Sequence, residues 1–489
     1  MSEALQQALQ HLQAGDPASA LQRLDSVLSA RPQLPDAQLP DAQLPDALLL
    51  RAIALQMLGR VDEALQAYDR LVALQSGNAM GWSNMGVLLA GQRRHGEALD
   101  AFDKALALAP DYLDALNNRG NVLHRLNRFE AAVVDFDRVL AQQPGYARAW
   151  NNRGNALKEL HRFDEAMRDY VQAAALDPAY ATQHWNISLL ALLRGDFAQG
   201  WDKYEWRWQW EDFSSPRRDF PQPQWRAGQP LEGKTILLHA EQGIGDTIQF
   251  VRYAPMLKAL GGRVVLEVQP ALKALLDGMP GADLVLTQGQ ALPAFDLHCP
   301  ILSLPLAFGT GPSDIPAPAS YLSAPAARRA HWRKKAAALL GGEGAPRVGL
   351  VWSGNPNHSN DHNRSIPPAL LARALEAAPG AELISLHKEL RAEEAAWLRA
   401  NPRIRFVGAE LNDMADTAAL IEQLDLVISV DTSVAHLAGA LGKPTWLLVP
   451  HLPDWRWQLG REDSPWYPAM RLFRQDVARD WSTVLGRVA

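Results

Sequence analysis

Residues 79–110 read AMGWSNMGVLLAGQRRHGEALDAFDKALALAP, and this stretch decides the fold of the first part of the chain. Small and large apolar side chains stand at fixed spacings in it, and a proline ends it. Small residues allow two antiparallel helices to approach closely, large ones fill the space between them, and proline ends the second helix. The stretch therefore predicts a pair of packed helices. The same pattern recurs with a period of 34 residues, as Trp82, Gly86, Leu89, Ala98, Phe102, Ala105, Pro110, then Leu116, Gly120, Leu123, Ala132, Phe136, Val139, Pro144, then Trp150, Gly154, Leu157, Ala166, Tyr170, Ala173, Pro178.

The period, the residue types and their order resemble the tetratricopeptide repeat, of which about five to six copies fit into residues 1–214. The resemblance implies an all-α solenoid that holds a partner protein. Between the first two copies, residues 33–47 consist of QLPDA three times over. A longer loop between two repeats raises the closure free energy by only a few tenths of a kcal/mol. The insertion is therefore either a tolerated duplication or a recognition tract.

Asparagines recur at equivalent positions in the first helix of successive repeats, at Asn84, Asn118 and Asn152. On the inner wall of a solenoid, such a ladder of amides offers paired donors and acceptors to an extended peptide backbone. The alternative is a solvated inner face, or hydrogen bonds within the array. We treat peptide binding at these three residues as a hypothesis.

The last copy of the repeat is degenerate and ends in a run of aromatic residues. Indole rings stack on sugars and planar groups, so the run is one candidate for a ligand platform. The other interpretation is that large side chains dock the last repeat onto the next domain and cover its open core. The residues concerned are Trp201, Tyr204, Trp206, Trp208 and Trp210.

Composition limits the class of protein. A chain of 489 residues is too long for one hydrophobic core and predicts about two to four domains. The net charge of −6 argues against a nucleic-acid-binding surface, and the single cysteine, Cys299, indicates a reducing compartment. The first residues lack the features of a signal peptide, and no apolar run reaches the roughly 18–20 residues of a membrane span. We therefore expect a cytoplasmic protein without a transmembrane segment or a nucleic-acid partner.

After the repeats, the helical period gives way to short apolar strands that alternate with helices. The proline-rich residues 215–233 predict a linker. Strands such as Thr235–Ala240 and Arg347–Trp352 open two successive βαβ units, residues 234–325 and 326–489. Each unit predicts a parallel sheet, and two Rossmann-like halves that face a cleft form the GT-B architecture. The predicted fold class is multidomain, an all-α solenoid followed by an α/β GT-B fold.

The residues GIGD at 243–246 follow the first predicted strand. Glycines allow the backbone to turn sharply from a strand into a helix. Asp246 then falls in the first helical turn, where the helix dipole keeps a carboxylate ionised and able to accept a proton. The alternative is that Asp246 only caps its helix.

Two further loops follow predicted strands of the second half. Residues 353–365, SGNPNHSNDHNRS, are dense in donors suited to phosphate and hydroxyl groups. Two histidines in this loop are not aligned by a helix, so we expect no metal site. Residues 431–444, DTSVAHLAGALGKP, open a helix whose first N–H groups suit a pyrophosphate, although a capped core helix is the alternative. The predicted donor-binding residues are Ser353, Asn355, Arg364, Asp431, Thr432, Ser433 and His436.

These loops resemble glycosyltransferase family 9, the heptosyltransferase-like GT-B enzymes. The resemblance covers residues 234–489 and rests on the Gly-Asp turn at 245–246 and on DTSVAHLAGA at 431–440. It implies a metal-independent, inverting transfer from a nucleotide-diphosphate sugar. It also implies that Asp246 deprotonates the acceptor hydroxyl, that Gln242, Gly243 and Gly245 form the acceptor loop, and that Arg364 and the helix start at 431–436 hold the diphosphate. No cofactor is expected beyond the sugar nucleotide, which is a substrate.

The whole chain resembles bacterial proteins that join tetratricopeptide repeats to such a domain. The first Rossmann-like half is short, so the repeats are expected to recruit the acceptor, a protein or a peptide. The alternatives are a catalytically inactive scaffold with a degenerate GT-B domain and a sugar-nucleotide epimerase of the same fold. In the C-terminal stretch 454–475, arginines interleave with indoles, which indicates either a nucleotide clamp or aromatic packing across the halves.

Overall fold

The computed structural model describes residues 2–29, 43–340, 344–358, 360–376 and 380–488. These residues form two compact units, Met1–Gln183 and His184–Ala489. Most of the QLPDA triplicate at 33–47 lies outside the described residues, so both interpretations of it stay predictions.

The first unit is helical, and consecutive helices pack as pairs, so the predicted solenoid of repeats is confirmed. Its described helices are α1 (Glu3–Gln13), α2 (Pro17–Ser29), α3 (Leu44–Met57), α4 (Val61–Leu74), α5 (Ala79–Gly91), α6 (His95–Leu108), α7 (Leu113–Arg125), α8 (Phe129–Gln142), α9 (Ala147–Glu159) and α10 (Phe163–Leu176).

The repeated glycines explain why the two helices of a repeat approach so closely. A Cβ atom at these glycines would lie only 2.6–2.9 Å from an aromatic ring of the partner helix. Contacts that short are repulsive, so a larger residue would push the helices apart. The glycine and ring pairs are Gly86 with Phe102, Gly120 with Phe136, and Gly154 with Tyr170.

The second unit alternates strands and helices, as predicted. Its strands are β1 (Thr235–His239), β2 (Arg263–Val268), β3 (Leu284–Thr287), β4 (Leu297–Pro300), β5 (Arg347–Val351), β6 (Glu382–Ser385), β7 (Ile404–Phe406), β8 (Leu426–Val430), β9 (Thr445–Val449) and β10 (Met470–Arg474). Helix α11 (Ala181–Arg194) crosses the division between the two units. The helices after it are α12 (Phe197–Tyr204), α13 (Ile244–Phe250), α14 (Ala254–Ala259), α15 (Lys273–Leu276), α16 (Leu304–Ala307), α17 (Ala326–Leu339), α18 (Asp361–Arg364), α19 (Pro368–Glu376), α20 (Ala392–Ala400), α21 (Met414–Ile421), α22 (Ser433–Ala440) and α23 (Trp481–Val488).

The strands of the described residues form two parallel sheets, in the orders β3-β2-β1-β4 and β10-β9-β8-β5-β6-β7. We call the part built on β1–β4 the first half and the part built on β5–β10 the second half. The inner strands are apolar along nearly their whole length and buried, as expected for parallel sheets that are covered on both faces. The predicted α/β architecture of two Rossmann-like halves is therefore confirmed.

The aromatic run after the last repeat docks onto the rest of the second unit. The Trp201 indole N–H donates to the backbone oxygen of Thr310 at 3.0 Å, and its ring meets Trp455 edge to face at 5.2 Å. Tyr204 also packs against Trp455, and both Trp201 and Tyr204 are buried. The structure thus favours the docking interpretation over a ligand platform for these two residues. The compact unit begins at residue 184, whereas the sequence period had placed the end of the array at residue 214.

Residues 215–233, expected to be a linker, also pack on the first half. Phe220 lies against the rings of His239 and His298. The backbone N–H of Trp225 donates to the backbone oxygen of His298 at 2.7 Å. Arg218 forms an ion pair with the buried Glu267 of β2. The segment packs here because one face of the sheet carries polar side chains that need buried partners.

Candidate functional site

A cavity of about 400 Å³ lies at the carboxyl ends of β5, β6 and β8 in the second unit. The first turns of α21 and α22 line it, and Ile244 and Ala271 of the first half complete its wall. In parallel α/β sheets, ligands bind outside the carboxyl ends of the strands. This cleft is therefore the candidate site. Six of the seven predicted donor-binding residues lie in its wall or next to it. Asp431 adjoins the wall, and the five that line it are Ser353, Asn355, Arg364, Thr432 and Ser433.

Asp246 lies at the edge of this cleft, in the first turn of α13. Its Oδ2 accepts the N–H of Gly243 at 2.9 Å, so the carboxylate does cap its own helix. Its Oδ1 accepts from the guanidinium of Arg456 in the second half. Burial raises the pKa of Asp246 above its ordinary value, and the positive charge of Arg456 opposes this rise. Capping and a role in the cleft are therefore compatible, because each carboxylate oxygen keeps a further lone pair.

Gly245 allows α13 to lie directly against α22. A Cβ atom at this position would lie 2.9 Å from Cδ2 of His436 and 3.4 Å from the Cα atom of Ser433. Only glycine therefore permits this approach, which brings the turn of the first half to the donor loop of the second. The preceding Gln242 is held at two points: its Oε1 accepts from the Tyr204 hydroxyl at 3.4 Å and its backbone oxygen from Gln269 Nε2 at 2.8 Å.

Arg456 is a site residue that sequence reasoning did not single out. It follows β9 in the short 3-10 helix Trp455–Trp457 and is buried. Besides Asp246, it donates to Gln249 Oε1 at 2.5 Å and to Asp454 Oδ1 at 2.9 Å. The sequence signal that could have identified it is its place in the stretch 454–475. For that stretch, a nucleotide clamp and aromatic packing were both possible interpretations. The structure shows indole packing combined with an arginine that binds the carboxylate of Asp246.

His436 points into the interface between the halves and not into the open cavity. Its Nδ1 lies 2.8 Å from the Tyr467 hydroxyl, and its ring stacks on Trp457 at 5.3 Å. Burial, together with the charges of Arg456 and Arg252, holds the pKa of His436 well below its ordinary value. The imidazole is therefore neutral, and a direct role for it at the diphosphate stays a prediction.

Asp431 follows β8 directly and carries a perturbed carboxyl group. Burial and the neighbouring carboxylate of Asp454 raise the pKa of Asp431 to about 6. Its backbone oxygen accepts from Arg364 Nη1 at 3.0 Å. Arg364 is thereby fixed at the cavity wall, and its Nε lies 3.6 Å from Asp361 Oδ1, in an ion pair without a hydrogen bond. A guanidinium at a cavity wall with a free N–H suits an anionic ligand.

The remaining donor-loop residues are engaged to different degrees. The Ser353 hydroxyl donates to Glu394 Oε1 at 2.5 Å, and the Asn355 side chain accepts the N–H of Asn357 at 3.0 Å. Thr432 is the N-cap residue of α22, and its hydroxyl lies 3.2 Å from that of Ser429. The first helical residue, Ser433, lines the cavity with its neighbour Val434, so the N–H groups of this helix start face the cavity.

Three further residues of the wall, His387, Lys388 and Glu389, were missed by sequence reasoning. They follow β6, and the rule that placed the other loops at strand ends applies equally to this one. His387 Nε2 lies 3.3 Å from the Ser353 hydroxyl, and burial lowers the pKa of His387 to about 4. The histidine is therefore neutral and forms part of the floor below the cavity.

The three predicted groove asparagines lie in the first unit and not at this cleft. The Asn152 amide donates to Asn117 Oδ1 at 3.3 Å, and Asn84 is bonded to Tyr68, so both take part in hydrogen bonds within the array. Asn118 lines a separate cavity of about 230 Å³ between the helices of the first unit. Their role in peptide binding stays a prediction.

The side chains that could bind a metal ion are scattered. Within the ranges that the structure describes, no three or more His, Cys, Asp or Glu side chains are grouped as a metal ion requires. The expectation of metal-free chemistry stays a prediction. In the same part of the chain, no helix has the length and apolar character needed to cross a membrane.

Two sets of family models match the chain. Residues 5–79, 77–144 and 147–180 match models of the tetratricopeptide repeat. Residues 386–448 match glycosyltransferase family 9 (heptosyltransferase). The second match includes β8, the loop at Asp431 and α22, and it ends before Arg456.

The chain is also similar to individual proteins. Protein FlbA of Caulobacter vibrioides (strain ATCC 19089 / CIP 103742 / CB 15) is 30% identical over 323 residues, which are 62% of this chain and 53% of FlbA. The chain thus spans about half the length of the curated relative that it matches. Among solved structures, MamA from Desulfovibrio magneticus RS-1 is 21% identical and covers 33% of this chain and 92% of its own, with a TM-score of 0.32. YrrB, described as a TPR protein with an unusual peptide-binding site, is 23% identical and covers 32% of this chain and 83% of its own, with a TM-score of 0.30. The chain thus combines tetratricopeptide repeats with a C-terminal α/β region of which residues 386–448 match glycosyltransferase family 9 (heptosyltransferase).

Proposed function

We propose that this protein is an inverting, metal-independent glycosyltransferase that moves a sugar from a nucleoside-diphosphate donor to the hydroxyl group of a protein or peptide acceptor. The observation that carries the proposal is the cleft itself. The start of α22 and Arg364 line one cavity together with Ile244, which lies two residues before Asp246 in the first turn of α13. The helix start, Arg364 and Asp246 supply what glycosyl transfer requires: an anion site, a counter-charge and a base.

The donor diphosphate is expected at the start of α22. The first N–H groups of a helix lack intrahelical partners, and the helix dipole favours negative charge there. Arg364 adds a permanent positive charge at the same wall. Because negative charge grows on the diphosphate as it leaves, these groups stabilise the transition state more than the ground state.

The acceptor hydroxyl is expected beside Asp246. As the acceptor oxygen forms its bond to the anomeric carbon, the bond from that carbon to the diphosphate oxygen breaks, and Asp246 takes the hydroxyl proton. Attack from the face opposite to the leaving diphosphate inverts the anomeric carbon. Burial, which raises the pKa of Asp246, makes it a stronger base than an exposed carboxylate, while the positive charge of Arg456 favours its ionised form.

The repeats are proposed to recruit the acceptor. A solenoid of helix pairs presents an extended concave surface, which suits a peptide or a protein segment. The cavity that contains Asn118 also contains Asn121 and Arg125, so polar groups are available on this unit to bind a peptide backbone.

Replacing Asp246 by Asn is the first test of the proposal. We expect the release of nucleoside diphosphate from UDP-, ADP- and GDP-sugars to fall about 10²–10⁴-fold, the usual contribution of a general base. Binding of the matching diphosphate, measured by its thermal stabilisation of the protein, should stay unchanged. All rates are measured in excess EDTA, so that activity in the parent protein also tests independence from a metal.

Asp277→Asn is the matched control, because Asp277 is an exposed carboxylate of the same half that pairs with Lys273. It should leave the rate unchanged. Full activity in Asp246→Asn would exclude Asp246 as the base. If the parent protein neither binds nor turns over any of these sugar nucleotides, the inactive-scaffold alternative is the better account.

The pKa of Asp431 predicts how donor binding depends on pH. An ionised Asp431 repels the diphosphate, so binding of UDP-glucose should strengthen as the pH falls through about 6 and this carboxyl group becomes protonated. Each unit by which the bound diphosphate raises the pKa of Asp431 corresponds to about tenfold in affinity. A sugar nucleotide is the correct ligand, because it lacks the terminal phosphate ionisation near pH 6. Calorimetric titration at several pH values is the measurement.

Asp431→Asn should abolish this pH dependence. Asp413→Asn should retain it, since Asp413 lines the same cavity but caps α21 through the N–H groups of Ala415 and Asp416. A dependence that survives in Asp431→Asn would assign the titration to another group.

A further inference from the structure

A fully buried arginine lies behind the loop that carries Asp246. Arg207 belongs to the 3-10 helix Glu205–Gln209, in the segment that follows the last repeat, and none of its surface is exposed. Its partner Glu241 is also buried and opens the loop Glu241–Asp246 after β1. Neither residue touches the donor cavity, and the proposed chemistry does not use them.

The pair is held by several hydrogen bonds. Arg207 Nε and Nη2 donate to the same Glu241 oxygen, Oε1, at 3.0 and 2.8 Å. Nη2 also donates to the Ser303 hydroxyl at 2.8 Å, and Nη1 donates to Glu205 Oε1 at 2.7 Å. Glu241 Oε2 is buried and has no hydrogen-bond partner in the structure. The guanidinium is thus fixed on three sides, and it fixes Glu241 through a single oxygen.

Stability alone does not account for such a pair. Removing two charges from water costs several kcal/mol, and well-packed apolar residues of similar volume are often as stable as a buried ion pair. What the pair does determine is the position of the backbone at Glu241. The next residue, Gln242, is also held from the same segment, by the hydroxyl of Tyr204. Two successive residues of the loop are therefore anchored to the segment that follows the repeats.

We propose that Arg207 and Glu241 are positioning residues, which fix the loop Glu241–Asp246 so that the Asp246 carboxylate is held at the acceptor side of the cleft. The segment after the last repeat is then a working part of the catalytic unit. This inference rests on the proposed function, in which Asp246 is the base.

Charge coupling gives the proposal a distinctive signature. The titratable groups that act on Glu241 are Arg207, Glu205 and Asp246, and Cys299 lies within range of the same charges. Burial raises the pKa of Glu241 to about 7, and Asp246 adds to this rise. Asp246 is therefore ionised while Glu241 titrates, whereas Glu241 is protonated over the range in which Asp246 titrates. The signature of the pair is thus the ionisation of Glu241 itself, and replacing this carboxyl group by an amide should remove a step near pH 7 from the pH–rate profile.

Glu241→Gln is the variant that tests the proposal, in the full-length protein. With the turned-over sugar nucleotide identified above, the rate at saturating donor should fall about 10- to 100-fold, as expected for a misplaced catalytic group. The donor KM should stay unchanged, and the step near pH 7 in the pH–rate profile should disappear. Hydrogen exchange of the Gly243 amide, which donates to Asp246, should quicken about tenfold, the factor that corresponds to one lost hydrogen bond.

Glu267→Gln is the matched control, because Glu267 is another buried carboxylate of the first half whose side chain pairs with Arg218 and not with Arg207. It should lower the melting temperature without removing the step near pH 7 or changing the exchange of Gly243. Arg207→Lys keeps the charge and loses the planar fork of donors, so it should repeat the Glu241→Gln effects on rate and exchange even if Glu241→Gln fails to fold.

Unchanged Gly243 exchange and a retained step near pH 7 in Glu241→Gln would overturn the positioning role. Changes equal to those in Glu267→Gln would also overturn it, as general destabilisation. If the parent protein transfers no sugar, hydrogen exchange still decides: faster exchange in Glu241→Gln but not in Glu267→Gln supports the anchoring of the loop, while the proposed function fails separately.

Discussion

A variant that begins at Ala179 is expected to fold and to bind a nucleoside diphosphate, whereas a variant that begins at Ser215 is expected to remain unfolded. The two differ by α11, α12 and the 3-10 helix that follows them. This segment buries Trp201 and Tyr204 against the second unit and supplies Arg207 to Glu241. Loss of a single large aromatic side chain from a core costs about 3–5 kcal/mol. Loss of two, together with a carboxylate left unpaired, approaches the whole stability of a typical protein, about 5–15 kcal/mol.

Circular dichroism and thermal unfolding of both truncated variants, with and without UDP or ADP, provide the measurement. The variant from Ala179 should melt near the second transition of the full-length protein and should be stabilised by the same diphosphate. A cooperative transition at the same temperature in the variant from Ser215 would show that the docked segment is dispensable. The variant from Ala179 should also retain donor hydrolysis while losing transfer to a protein acceptor, because it lacks the repeats.

Arg456→Met is expected to abolish transfer and to destabilise the second unit by about 3–5 kcal/mol, the effect of removing one partner from a buried charge pair. Arg456 is buried and binds the carboxylates of Asp246 and Asp454. Without its charge, the largest influence that opposes the burial-driven rise in the pKa of Asp246 is lost, so the proposed base becomes protonated at higher pH. The acid limb of the pH–rate profile should therefore move to higher pH.

Rates across pH and chemical unfolding measure the two effects. Arg461→Met is the matched control, since Arg461 pairs with the exposed Asp463 and such surface pairs contribute about 0–1 kcal/mol. The double variant Arg456→Met with Asp246→Asn should recover part of the lost stability, because the uncompensated charge is then gone. Equal destabilisation with and without Asp246→Asn would mean that the arginine acts mainly through its packing on Trp455.

The family-like loops show how far the sequence reaches into the site. Asp246, Arg364 and the segment from Asp431 were predicted separately, each from its place after an apolar strand. Arg364 and the segment from Asp431 come together because β5 and β8 belong to one parallel sheet and end at the same edge. Asp246 follows β1 of the other sheet, so its position near them depends on how the two halves pack. The loop after β6, with His387, obeyed the same rule but lacked a recognisable pattern and was not predicted.

The contacts of Asp246 lay beyond sequence reasoning. Its partner Arg456 is 210 residues away along the chain, and the choice between a nucleotide clamp and aromatic packing depends on which side chains the two halves bring together. His436 had been grouped with the anion-binding residues because it follows Thr432 and Ser433. Its place on the helix, one turn further in, directs the ring into the interface with Tyr467.

By itself, the sequence determined the repeats, the alternation of strands and helices, and the loops at the strand ends, because each of these depends on side-chain spacings within a few tens of residues. Only the tertiary structure decided where the repeats end, what residues 215–233 do, and which charges surround Asp246. The helical period continues through α11 and α12, yet the indole of Trp201 in α12 is buried against Phe250, Trp455 and Trp466. A local pattern specifies which face of a helix is apolar, but the surface that this face meets is set by packing between residues far apart in the chain.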